Sequence, residues 1–145
     1  MAESPAEFDL ALAEHHFLNE LFAKIDKAIV ENNTPRGEMV VLIDELKTHV
    51  LQHFAHEENE GLFKQIVSKA PRLEPEAAIL RQQHNDLAAA LDGISDQLTT
   101  ESPQSAIPVG LKADFHDFAA QFMEHEEGEN RLLQEAYDRD VGSKE

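Results

Sequence analysis

Residues 111–136 read LKADFHDFAAQFMEHEEGENRLLQEA. Stepping alternately three and four residues through them collects Leu111, Phe115, Phe118, Phe122, His125, Glu129, Leu132 and Ala136, a stripe that a helix places on one face. The stripe is apolar except at His125 and Glu129, which stand one helical turn apart. The same stepping upstream gives Met39, Ile43, Leu46, Val50, His53 and Glu57, again ending in His-x-x-x-Glu. Two further stripes carry a single histidine each: Phe8, Ala11, His15, Leu18, Phe22, Ile25, Ile29, and Ala77, Leu80, His84, Leu87, Leu91, Ile94, Leu98. One-histidine and His-x-x-x-Glu segments alternate along the chain, as two related helical hairpins would.

Three Pro- and Gly-bearing breaks, ENNTPRG (31–37), KAPRLEP (69–75) and TTESPQSAIP (99–108), separate the four segments, and DRDVGSKE forms a polar tail. The segments are rich in Ala, Leu, Glu, Gln and Lys and lack period-2 runs of β-branched residues. An all-α fold is predicted. Ser4-Pro5-Ala6-Glu7 has the form of a capping box, and Thr34-Pro35 and Glu74-Pro75 put proline where helices begin. The expected helices run over about 6–31, 36–68, 75–99 and 105–137, in a single up-down-up-down antiparallel four-helix bundle over residues 1–145.

Composition narrows the chemistry. The chain has 145 residues, 12 Lys+Arg and 29 Asp+Glu, for a net charge of -17, so it can hardly assemble the basic face that nucleic acid or an anionic membrane would need. It has no cysteine, which removes thiolate nucleophiles, disulfides and Cys-type metal sites. Any metal must be held by nitrogen and oxygen. The opening MAESPAEFDL has no basic-then-apolar leader pattern, and no apolar run is long enough to span a bilayer, so a cytoplasmic location is expected. There is no Gly-rich phosphate loop and no HExxH signature.

The stripe histidines fall at related heights. With turn centres near 34, 72 and 103, His15 and His53 stand equally far from the first turn, and antiparallel packing sets them level. His53 and His84 differ by about 10 Å, and His84 and His125 by roughly one turn. All six polar stripe residues are therefore expected in one central layer. Buried bare, they would be costly; a bound cation removes the cost. Each His-x-x-x-Glu offers a nitrogen and an oxygen on one face, and two such pairs suggest two metals. Two six-coordinate ions present roughly twelve positions; four imidazoles, two bridging carboxylates and a bridging oxygen species leave about two for a small ligand.

Other polar residues take plainer roles. His16 leaves the stripe and reads as surface, and His116 faces water or the bundle edge. His49, His56 and Glu60 flank the second stripe, either as solvated groups or as partners that orient ligands. Glu58, Glu126 and Glu127 read as a solvated acidic face. Phe115, Phe118 and Phe122 are core packing.

The pieces EHHFLNELF (14–22), HFAHEE (53–58), QQHNDL (82–87) and EHEEGEN (124–130) resemble the hemerythrin-like, HHE cation-binding domain family from about residue 8 to 136. The resemblance implies a bundle around a non-haem di-iron centre, with metal ligands at His15, His53, Glu57, His84, His125 and Glu129. Oxygen-carrying hemerythrins have a second third-helix histidine where this chain has Ala88, and an aspartate where it has Asn130; the residues present are closer to the HHE pattern. A ferritin-like di-iron bundle would need Glu-x-x-His on two helices, and no Glu stands three residues before any histidine.

The expected function is the binding or sensing of a small ligand (dioxygen, nitric oxide or peroxide) or of iron at two iron ions joined by a bridging oxygen species. A helical interaction module with a structural metal such as zinc, or another divalent ion, is the alternative, and a protein partner or a second copy fits either. Binding ranks above turnover of peroxide, superoxide or nitric oxide because no proton-delivering residue stands out beyond the ligands.

Overall fold

The computed structural model describes the backbone of residues 5–139 and the side chains of 13–59 and 61–137. The predicted capping serine Ser4, the side chains of Phe8, Ala11 and Glu60, and most of the polar tail lie outside the described residues. The elements are α1 (Pro5–Glu31), α2 (Arg36–Glu60), α3 (Leu62–Lys69), a 3-10 turn (Pro71–Leu73), α4 (Glu74–Leu98) and α5 (Leu111–Gln134), whose end loosens into a π turn (Glu135–Arg139). No strand occurs among the described residues. α1 packs on α2, α2 on α4, α4 on α5, and α1 meets α5 to close the bundle.

Two boundaries differ from expectation. The second helix does not run through to residue 68: it breaks at Gly61 (φ -152°, ψ -83°), and the ladder restarts where Gln65 N–H donates to the Gly61 carbonyl. Glycine has little helix propensity, and the break turns Phe63 and Ile66 of α3 onto Leu73, Ala77 and Leu80 of the next limb and Leu132 and Ala136 of the last. The last helix begins at Leu111 rather than near 105. Residues before it are committed elsewhere: the carbonyls of Pro103 and Ser105 accept the N–H groups of Gly37 and Arg36, satisfying donors that the start of α2 would otherwise leave unpaired. The Arg36 side chain is buried and donates to the Gln97 carbonyl at 2.7 Å, at the end of α4.

The stripes predicted for α2, α4 and α5 are the buried faces observed. On α1 the face is rotated slightly: Leu18, Leu21, Ile25 and Ile29 are buried, while His15 and Phe22 are half-buried. The apolar interior falls into two clusters. The larger extends from Leu18, Phe54, Leu87 and Phe122 toward the 99–110 loop, and the smaller gathers α3 against Leu80 and Leu132. His84 lies between Leu80 and Leu87, and His125 and Glu129 between Phe122 and Leu132. The polar layer therefore separates a long core from a short cap and sits toward the α3 end, not at the centre of the bundle.

Candidate metal centre

All four long helices deliver side chains to this layer. Within α2 and α5 the one-turn spacing does its expected work: His53 Nε2 is 2.8 Å from Glu57 Oε2, and His125 Nε2 is 2.7 Å from Glu129 Oε2. Between helices, His15 Nε2 is 3.3 Å from His53 Nε2, and His84 Nε2 is 3.0 Å from Glu57 Oε1 and 3.5 Å from Glu129 Oε2. The height mismatch foreseen between His53 and His84 does not keep them apart: both reach Glu57, and α3 with the 3-10 turn fills the connection between α2 and α4.

These side chains form two groups whose donor atoms lie within 4.8 Å of one another: His15, His53, Glu57 and Glu126, and Glu57, His84, His125 and Glu129. All six residues expected from the sequence are in them. Glu57 belongs to both, turning Oε2 toward His53 and Oε1 toward His84. Glu126 is the addition. Read from the sequence as part of a solvated face, it instead places Oε1 2.6 Å from His15 Nε2 and Oε2 3.4 Å from His53 Nε2. Its one sequence signal is weak: it stands three residues before Glu129 and so shares its side of the helix, but lies within a run of acidic residues.

An outer ring orients the imidazoles. His53 Nδ1 donates to Glu14 Oε1 at 2.9 Å, His84 Nδ1 to Glu58 Oε2 at 2.6 Å, and His125 Nδ1 to Gln83 Oε1 at 2.7 Å. Each bond leaves Nε2 pointing inward, the arrangement that fixes a metal-ligating histidine. His56, one of the flanking candidates, holds the other oxygen of Glu14 at 2.5 Å, whereas His49 packs edge-to-face on Phe17 and takes no part in the clusters. His16 is exposed, as is His116, which bonds Asp26 across α1 and α5 at 2.6 Å. The Phe54 ring stacks on His84 at 3.9 Å and walls the layer off from the larger core.

Proton affinities reflect the crowding. Burial disfavours the charged form of His53, but its pairing with the Glu126 and Glu57 carboxylates outweighs burial and pushes its pKa up to about 11. Burial also opposes ionisation of Glu57 and Glu126; the facing imidazoles prevail and hold both below the usual carboxylate range. Burial and then the neighbouring charge of His84 lower His125 to about 4, while burial and repulsion from Glu57 raise Glu129 well above a normal carboxyl.

The donor set fits a cation. His125 Nε2, both oxygens of Glu126 and Glu129 Oε2 are buried without an aligned hydrogen-bond partner, although neighbours stand close enough for ion pairing. Lone pairs converge on shared points instead of being matched donor to acceptor, which is costly unless a positive ion sits among them. With nitrogen and oxygen donors only, the layer suits iron, zinc or a similar divalent ion.

No helix among the described residues is long and apolar enough to cross a membrane. Comparison with curated proteins and with solved structures gives no match. The family model of the hemerythrin HHE cation binding domain matches residues 8–137, nearly the whole chain and every residue of both clusters. The chain belongs to the hemerythrin HHE cation-binding domain family.

Proposed function

We propose that this chain is a non-haem di-iron protein that binds or senses a small ligand, namely dioxygen, nitric oxide or peroxide, or that responds to iron itself. The observation that carries the reading is the pair of His/Glu clusters sharing one carboxylate, Glu57. An iron pair, when bound, supplies a Lewis-acidic and redox-capable centre with room for a small exogenous ligand. His15 and His53 with Glu126 would hold one ion, and His84 and His125 with Glu129 the other. Glu14, Glu58 and Gln83 orient the imidazoles, and Phe54 keeps water from the larger core.

Among the described residues, no flanking side chain is placed as a dedicated proton donor into the clusters, which favours binding over turnover. Anaerobic loading of metal-free protein with ferrous iron should give about two irons per chain, by the two-cluster count, and an absorption change on exposure to air or nitric oxide. Failure to take up any iron would remove the reading. Uptake of zinc that raises the melting temperature, with no response of the iron form to either gas, would support a structural metal in a helical interaction module whose acidic exterior meets a partner.

A further inference from the structure

The position built from Glu57, His84, His125 and Glu129 is walled in, and all four donors are buried. Toward the larger core, the Phe54 ring lies 3.9 Å from that of His84 and 5.7 Å from that of His125. On the opposite side the Phe63 ring of α3 lies 5.5 Å from His84, with the Arg81 guanidinium 5.8 Å over it, and Leu80 and Leu132 complete the cap. Side chains packed this closely pass no cation unless one wall moves. The α1-side position, built from His15, His53, Glu57 and Glu126, is reached from solvent along the His15 side chain, which is 34% exposed.

The walls differ in how firmly they are held. α2, α4 and α5 are helices of 24 or 25 residues whose stripes fill the larger core. α3 has eight residues and an irregular joint at each end, Gly61 (φ -152°, ψ -83°) and Ala70 (φ -142°, ψ 80°). Among the described residues, nothing beyond its own chain neighbours stands within 4 Å of where a Cβ on Gly61 would be, so the chain can turn there without collision. α3 buries Phe63 and Ile66 in the smaller core, and a short element anchored by two side chains can open locally while the long helices stay folded. Its outer edge is fastened to the turn that follows α5: the Tyr137 hydroxyl donates to Gln65 Oε1 at 3.1 Å, and the Lys69 ammonium stands 5.1 Å over the Tyr137 ring.

We propose that α3 is a lid over the buried position, hinged at Gly61 and latched by Tyr137, and that a cation enters or leaves there only when α3 lifts. The competing route runs between the two positions along the shared Glu57 carboxylate, and it is open only while the α1-side position is empty. The inference rests on the metal-binding reading above, and its test separates the two.

Cobalt(II) is the probe, because its absorption reports coordination without redox change. Release of cobalt to EDTA is followed beside amide hydrogen exchange over residues 62–70. In wild-type protein the α3 amides should exchange faster than those of α2, α4 and α5 around the polar layer. Two mild substitutions loosen α3 without altering a donor: Tyr137→Phe removes the bond to Gln65, and Ile66→Val trims the anchor in the smaller core. Each should raise α3 exchange about two- to tenfold and raise one of the two cobalt release rates by the same factor, the other staying at its wild-type value. Ile43→Val, the same trimming in the larger core, should change neither α3 exchange nor release.

Wild-type α3 amides as slow as those of α4, or α3 exchange that neither substitution moves, would overturn the inference. So would faster α3 exchange that leaves both release rates unchanged or speeds both equally. An ion released only after the other, at a rate indifferent to both substitutions, would establish the Glu57 route in its place. Each of these outcomes leaves the di-metal reading standing, whereas wild-type protein that binds neither cobalt nor iron would overturn both.

Discussion

His53 carries the clearest consequence at the level of single residues. In the metal-free protein it faces Glu57 and Glu126 and has a pKa of about 11, against 6.5 without those partners. A raised folded-state pKa contributes stability that is complete below about pH 6.5 and lost as pH rises toward 11. Glu129, also raised, acts in the same direction. The melting temperature of metal-free protein should therefore fall between pH 7 and 10, and a flat or rising profile would show that His53 is not held protonated. A cation replaces the His53 proton, so zinc loading in weakly buffered solution at pH 7 should release at least about one proton per chain, read with an indicator dye. Substitution sorts the side chains further. Glu57→Ala removes the donor common to both clusters and should cost both ions, and His125→Ala should cost at least one. His116→Ala breaks only an exposed ion pair with Asp26; elemental analysis should find its metal content unchanged, and its stability loss should stay under about 1 kcal/mol.

The helices show which parts of this architecture a sequence can disclose. Stripes on α2, α4 and α5 were readable residue by residue because burial on a helix follows a fixed angular step, and the four histidines could be spotted because each replaced an apolar residue within a stripe. Glu126 was obscured by its setting in HEEGE, where one acidic side chain looks like the next until the position of α1 is known. The ends of helices were harder, since they depend on distant partners: the 99–110 loop is held by hydrogen bonds to Arg36 and Gly37, and the break at Gly61 by the surface that α3 covers. Gly37 makes the first of these testable. A Cβ there would stand 3.0 Å from Pro103 Cβ, so the loop would have to move. Gly37→Ala should destabilise the protein by about 1–3 kcal/mol while metal content stays at the wild-type value, because the contact lies at the far end of the larger core from the polar layer. Phe54→Ala acts at the layer itself, removing the ring stacked on His84, and should cost about 3–5 kcal/mol and weaken metal retention as well. Denaturant unfolding and elemental analysis together distinguish the two variants.

At the scale of the molecule, a net charge of -17 sets the conditions under which the bundle folds and loads. Like charges spread over a small bundle repel one another, and salt screens that repulsion over a Debye length of about 10 Å at 0.1 M. The same field draws cations toward the surface and, through the exposed rim of the α1-side cluster, toward His15 and Glu126. Salt should therefore have opposite effects on two observables. Raising sodium chloride from about 0.02 to 0.5 M should increase the melting temperature of metal-free protein, because self-repulsion is screened, and should slow the association of cobalt(II), because attraction is screened too. Stopped-flow uptake measured beside thermal melting gives both numbers on one sample. If association were independent of salt while the melting temperature still rose, the acidic surface would serve only to keep molecules apart, and cation capture would depend on the two clusters alone.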